Sequence, residues 1–455
     1  MIEVKNPFNK ELISKVSLHN EKEIEEKIQN AVATQIQLSA TTPFERSESL
    51  KQIAQGLENR KSDFIQTIIA ESAKPFIYAK GEVERAIQSF TIAAEEALRP
   101  PSELMELGRS LKTKNKIGEI RFFPAGVVFG ISPFNFPLNL AVHKIAPAIA
   151  TACPIILKPS SKTPLTAELL LEVIQATELP KHSFQLVHCS RELGNKIIED
   201  ERIAVLSFTG SPDVGWEMKK RAGKKKVVLE LGGNAASIVC KDVSLKDAVD
   251  KLIVGAWAYS GQVCIHTQRI YVHDEIFNDF LERFKKATQE LTLGEPLKES
   301  TNFSSMIDNK NTDRVLDWVE QAKQQGAKIE IQGKVENNIL TPSIISGTKK
   351  GMKVRDEEVF GPVICIEKFH HLEGAIAEVN DCRWGLQASI FTDSIAELNL
   401  AFNTLNVGGV IHNESTTFRV DNMPYGGIKD SGFGREGIKY AMHDYLEAKI
   451  LVKDK

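Results

Sequence analysis

From Gly126 onward the sequence alternates short apolar runs with helical stretches, and that alternation restricts the chain to very few architectures. "GVVFGIS", "PIILK", "SFQLVHC", "IAVLSFTG" and "KKVVLELGG" read as strands, with "LNLAVHKIAPAIATA", "PLTAELLLEVIQAT", "RELGNKIIED" and "PDVGWEMKKRA" as the helices between them. Strands that are apolar throughout and joined by helices predict a parallel sheet covered on both faces. Such a sheet binds ligands beyond the carboxyl ends of its strands. A second series follows Asn234, with "AASIVC", "RIYVHD", "KIEIQ", "VICIEKF", "ASIFTD" and "VGGVIHN" as strands. Two α/β domains are therefore expected to meet near Glu230 to Asn234, with a small-molecule site in the cleft between them.

Upstream, residues 21 to 98 place apolar residues three and four apart in "EKEIEEKIQNAVATQIQLSA", "SLKQIAQGLENRKSDFIQTIIAE" and "GEVERAIQSFTIAAEEALR", which predicts helices. "NKIGEIRFFPAGVV" reads as a partly exposed pair of strand segments. At 455 residues the chain exceeds one ordinary core. A formal charge of −3, with acid and base interspersed, leaves no footprint for nucleic acid or an anionic membrane. The six cysteines are scattered without a C-x-x-C pair, which argues against disulfides or a structural metal. No signal-peptide core and no membrane-length apolar run are present, so a cytoplasmic location is expected.

Several short segments carry chemistry. No G-x-G-x-x-G follows the first strand, but "TGSPDVG" offers Gly210 for a tight turn and Ser211 at a helix start, a plausible pyrophosphate seat. A plain serine N-cap is the alternative. Lys158, in "ILKPSSKTP", stands at the carboxyl end of a strand. Glu230 ends an apolar strand in "VLELGGN", where a carboxylate must be paired, raised in pKa or functional. Asn135, in "SPFNFPLNL", is an amide fixed between aromatics and prolines and able to donate to an oxyanion. Cys264 lies in "AYSGQVCIHTQRIYV", where packing and nucleophilic roles both fit a lone cysteine.

Taken together, "PFNFP", "LKPSSKTP", "FTGSPDVG", "LELGGN", "GQVC", "EEVFGPV" and "MPYGGIKDSGFGREG" occur in an order and spacing that resembles the aldehyde dehydrogenases that use a nicotinamide cofactor. The resemblance covers nearly the whole chain and implies an α/β aldehyde dehydrogenase fold. A Rossmann-like cofactor domain would span 1–106 and 125–232, and a catalytic domain 233–432. A small β oligomerisation element would combine 107–124 with 445–455 and make a homodimer or homotetramer. Cys264 is similar to the family's nucleophile, Glu230 to its general base and Asn135 to its oxyanion donor. Phe134, Lys158, Ser161, Gly210, Ser211, Leu231, Glu358 and Phe360 match positions around NAD or NADP. No metal is implied.

The implied reaction is oxidation of a small aldehyde, lactaldehyde-like and hydroxylated or anionic, through a thiohemiacetal and a thioester. Ile265 and His266 stand where the family usually has small residues, so Ile265 is expected to narrow the pocket. Arg419 falls where many relatives carry an aromatic, with Tyr425 beyond it. It either meets an anionic substrate or salt-bridges Asp421. Transfer of the thioester to coenzyme A is the rival enzyme reading, and Glu230 argues against it. A non-catalytic relative would have had no need of Cys264, Glu230 and Asn135 together.

Overall fold

The computed structural model describes residues 1–455. The first sheet has strand order Gly432–Phe433, Lys226–Glu230, Ile203–Thr209, Val127–Ile131, Ile155–Lys158, Phe184–Leu186. All neighbours pair in parallel except Gly432–Phe433. The chain starts at Val127–Ile131, moves outward to Phe184–Leu186, then returns to Ile203–Thr209 on the other side. The order therefore reverses between Val127–Ile131 and Ile203–Thr209, and a crevice opens beyond their carboxyl ends. One face packs on the helical N-terminal region in a core containing Phe64, Phe90, Ile145 and Leu157.

That region holds four helices, Glu21–Ser39, Pro43–Asn59, Lys61–Ser72 and Phe76–Ala97. The long stretch read as a single helix breaks at Arg60, whose φ of −109° and ψ of 21° leave the helical basin. Asn20 with Glu23, and Thr42 with Glu45, form capping boxes that satisfy the exposed N–H groups at the first two helix starts.

The second sheet runs Lys328–Ile331, Ser343–Ser346, Val363–Phe369, Thr267–His273, Ala235–Val239, Gln387–Phe391, Gly409–His412. Only Lys328–Ile331 is antiparallel to its neighbour. The four-residue strand Ser343–Ser346 was absent from the sequence reading, being too short and too polar at its ends to signal itself. An N-terminal hairpin, Ile2–Lys5 with Leu12–Val16, was also missed. The turn between its strands sends Phe8 against the second domain's core, and Asn338 donates to the Pro7 and Phe8 carbonyls.

Lys116–Pro124 lies between Ser102–Glu106 and Leu446–Asp454 in a three-stranded antiparallel sheet. Its first strand precedes the expected start at 107. This sheet exposes Leu104, Ile450, Leu451 and Val452, the last three about half accessible. Between the second domain and this final strand the chain recrosses the molecule. Gly432 and Phe433 pair with Glu230 and Leu229, and the helix Ile438–Asp444 buries Ile438 and Met442 in the first domain's core. No helix is long and apolar enough to cross a membrane.

Candidate active site

The loop bearing Cys264 joins the helix Leu245–Trp257 to the strand Thr267–His273. Tyr259, Ser260 and Gly261 all adopt left-handed backbone, with φ of 47°, 53° and 71°. Strained backbone of this kind persists only where its surroundings over-determine it. Here Tyr259 Oη donates to the Ser72 carbonyl at 3.0 Å, and Ser260 Oγ to the Ser304 carbonyl at 2.6 Å. The Gln262 side chain accepts from the Ile307 N–H at 2.9 Å, while its carbonyl accepts from Asn135 Nδ2 at 3.0 Å. A side chain at Gly261 would meet the Gly361 carbonyl, so glycine is required on both conformational and steric grounds.

This anchoring sets Cys264 beside the Asn135 amide, and the Cys264 N–H has no acceptor within the protein. The second Asn135 amide hydrogen and the Cys264 N–H are thus both unspent. Burial pushes the Cys264 thiol up to about 11, opposed by the Tyr425 hydroxyl, 3.1 Å from the sulfur, and by Arg419. His266, two residues on, is buried with both ring nitrogens unbonded, and burial holds it down at about 4. It is a neutral packing residue and not a partner of the thiol.

Glu230 ends the strand Lys226–Glu230, is 3% exposed, and has no hydrogen-bond partner on either carboxylate oxygen. Burial, and then the nearby Glu436, raise its pKa well above the ordinary carboxyl value. Glu436 is held the other way. Although burial opposes it, Lys144, His143 and Arg419 keep that carboxyl down at about 2. Lys144 Nζ lies 3.1 Å from Glu436 Oε1 and 2.7 Å from Thr209 Oγ1. The two glutamates therefore diverge: Glu436 is ionised and paired, whereas Glu230 is unpaired and its carboxyl is shifted upward. Lys144 and Glu436 were missed in the sequence. The available signal was a lysine in the middle of "LNLAVHKIAPAIATA", whose helix Asn139–Ala150 is buried throughout.

A cavity of about 500 Å³ opens onto Cys264 between Phe136, Ile265, Arg85, Arg419 and Tyr425. Ile265 lines it and is 4% exposed. Arg419 does not pair with Asp421. Its guanidinium bridges Glu436 at 3.1 Å and stacks over the Tyr425 ring, 3.7 Å from the centroid, leaving Nε without a partner. Asp421 is taken instead by Arg85 at 2.6 Å and His143 at 2.7 Å. Residues 419 and 421 are neighbours in sequence but serve different partners. Arg85, also unanticipated, brings a second cation to the cavity wall.

Several of the remaining candidate positions lie at the carboxyl ends of the first sheet's strands. Ile131 is in register with Lys158, and the Ser132 N–H donates to the Lys158 carbonyl, so these residues share one end of the sheet. Ser161 is exposed in the loop beyond. Ser211 stands at the N-cap of Pro212–Arg221, yet its hydroxyl makes no capping bond. Ser211 thus occupies the N-cap position with its hydroxyl exposed. The Gly210 N–H is used internally, donating to the Glu230 carbonyl at 3.0 Å.

Leu231 is buried beneath Gly215 of the same helix. Phe134 and Phe360 meet edge to face, 5.9 Å between centroids. Glu358 accepts from the Gly233 N–H at 2.9 Å, and burial raises its carboxyl to about 7. A side chain at Gly232 would meet that carboxylate, which would have to shift away from the Gly233 N–H. A helix start, a lysine at the strand ends and an aromatic pair fit a dinucleotide laid along the carboxyl ends of this sheet.

Comparison with known proteins gives a consistent result. Residues 1–451 match the family model described as aldehyde dehydrogenase family. A 3-sulfolactaldehyde dehydrogenase of Priestia aryabhattai is 37% identical over 452 residues, covering 99% of this chain and 94% of that protein. The crystal structure of aldehyde dehydrogenase 21 from Physcomitrella patens, in complex with the reaction product succinate, superposes with a TM-score of 0.98 at 41% identity, over 100% of this chain and 95% of that one. Glyceraldehyde-3-phosphate dehydrogenase from Methanocaldococcus jannaschii, complexed with NADP, gives a TM-score of 0.95 at 35% identity, over 100% and 99% of the two chains. The alternating strands, the loop bearing Cys264 and the matches over nearly the whole chain lead to one assignment: this chain belongs to the aldehyde dehydrogenase family.

Proposed function

We propose that this NAD- or NADP-dependent aldehyde dehydrogenase oxidises a small anionic aldehyde, with Cys264, Asn135 and Glu230 performing the chemistry. The observation that carries this reading is one cavity with the thiol at its base and two guanidinium groups, Arg419 and Arg85, in its wall. The thiolate of Cys264 adds to the carbonyl carbon. The oxygen that becomes negative is met by Asn135 Nδ2 and the Cys264 N–H, both donors already in place. The bound nicotinamide supplies the hydride acceptor. Cys264 then carries a thioester, and Glu230 takes a proton from the water that attacks it, releasing the acid and the free thiol. An upward-shifted pKa suits this role, because a general base works best when poised near the ambient pH. Lys158, Ser161, Ser211, Glu358 and the Phe134–Phe360 pair would hold the cofactor.

Arg419 is the better candidate for the substrate's anion, because its Nε is unpartnered whereas Arg85 is already bonded to Asp421 by two nitrogens. The acid that such an enzyme releases carries a carboxylate, sulfonate or phosphoryl group, like the substrates and product named for the relatives. Arg419→Leu is expected to raise KM for an anionic aldehyde by roughly 10- to 100-fold, the scale of one charge-assisted hydrogen bond. Propanal should lose less, because Glu436 keeps Lys144 as a partner and any effect of Arg419 on the thiol through Tyr425 is common to both aldehydes. Steady-state kinetics on both substrates decides it, and parallel losses would assign Arg419 to structure.

Cofactor choice turns on Ser161. A glutamate at this position would accept from the adenosine ribose hydroxyls and repel a 2′-phosphate, and the serine does neither. NADP should therefore be used within about an order of magnitude of NAD, and Ser161→Glu should shift the enzyme toward NAD. Binding titrations and kcat/KM with each cofactor test this; a wild-type enzyme that ignores NADP would refute it. The outer strands Ser102–Glu106 and Leu446–Asp454, with Leu104, Ile450, Leu451 and Val452 exposed, support a homodimer or homotetramer, since exposed strand edges invite pairing. The unpaired cysteines, buried or half-buried, fit a reducing cytoplasm.

A further inference from the structure

The chemistry above needs Cys264 as a thiolate, yet burial works against ionisation and no basic side chain bonds the sulfur. The neighbouring histidine is neutral and turned to packing. The single hydrogen-bond partner of the Cys264 sulfur is the Tyr425 phenol, 3.1 Å away. We propose that Tyr425 is the positioning residue that makes Cys264 reactive, its O–H donating to the sulfur and favouring the thiolate within an otherwise apolar pocket. This rests on the reading of Cys264 as nucleophile.

Three features make Tyr425 suited to that task. It is 4% exposed, and its hydroxyl has no other partner, so its one hydrogen is available to the sulfur. Once Cys264 is ionised, only the phenol has a hydrogen to give. Burial, and then Cys264 itself, push the phenol well above its ordinary value, so it remains a donor throughout the working pH range. The Arg419 guanidinium carbon lies over the ring, 3.7 Å from its centroid, and its positive charge strengthens the O–H as a donor. The backbone is fixed as well. Tyr425 and Glu436 exchange two main-chain hydrogen bonds, of 3.0 and 2.6 Å, so the phenol is held on the same frame as the ion pair behind it.

The experiment is alkylation of the enzyme by iodoacetamide across pH, without cofactor or aldehyde, read at Cys264 by peptide mass. In Tyr425→Phe the midpoint is expected to rise by about one pH unit, the scale of a hydrogen bond to a charged group. Below the midpoint, about tenfold fewer thiolates form, each about threefold more nucleophilic because its pKa is higher, so alkylation slows by about threefold. Site-specific 3-fluorotyrosine at position 425, a stronger donor of nearly the same shape, should move the midpoint down. A merely structural tyrosine would move neither profile. A Tyr425→Phe profile that overlays the wild type, or an upward shift with fluorotyrosine, overturns the proposal. Those results would leave the nucleophile reading intact, whereas turnover by Cys264→Ala would overturn that reading itself.

Discussion

Cys264→Ala is expected to lose aldehyde oxidation by roughly a million-fold, the scale on which removal of a covalent nucleophile acts. No other group in the cavity can take over. The remaining cysteines are elsewhere in the fold, and five hydrogen-bonded anchors around residues 259–262 hold the loop without using the sulfur. The variant should therefore unfold within a few degrees of the wild type. Cofactor affinity should also survive, because Lys158, Ser161 and Ser211 lie along the first sheet's edge and not at the thiol. The measurements are kcat, a melting temperature and a titration with NAD and NADP. Turnover near the wild-type rate would reject the thioester route, and loss of cofactor binding would mean that the sulfur organises the crevice.

Glu230→Gln separates the two halves of the reaction. Thioester formation should persist, so the first turnover appears as a burst of reduced cofactor, followed by a steady state slower by about 10²- to 10⁴-fold. The substitution preserves shape and removes a buried, unpartnered carboxyl beside Glu436, so stability should hold or rise. In the wild type, the raised pKa leaves Glu230 increasingly deprotonated as pH climbs, so deacylation should accelerate with pH. That slope should vanish in the glutamine variant. If burst and steady state fall together, Glu230 acts before the thioester forms. Fast release to added coenzyme A by the wild type would favour the acyl-transfer rival.

What could be read from sequence depended on whether a residue's partners were local. Cys264, Asn135 and Glu230 were legible because each lies inside a short, recognisable run whose order along the chain is fixed. Glu230 carried an additional physical signal, a carboxylate ending an apolar strand. Lys144 carried the same kind of signal but needed Glu436, 292 positions away, to give it meaning. Proximity in sequence was misleading for Arg419 and Asp421, which share a turn yet are drawn apart by Glu436 on one side and by His143 and Arg85 on the other. The alternation of strands and helices announced both sheets. Ser343–Ser346 and the N-terminal hairpin were lost because short strands have too few residues to show a period.

The pairing of Gly432 with Glu230 has a consequence for how the enzyme comes into being. Glu230 leaves the ribosome some two hundred residues before the strand that flanks it, and Tyr425 and Glu436 emerge later still than Cys264. A growing chain can close its first parallel sheet early, but it cannot set the carboxyl of Glu230 or the phenol beside the sulfur until the segment around 425–445 has returned across the molecule. The chemically dangerous part of the protein is thus the last to be assembled. A nascent or clipped chain lacking that segment would have neither Tyr425 beside the Cys264 sulfur nor Gly432 paired with Glu230.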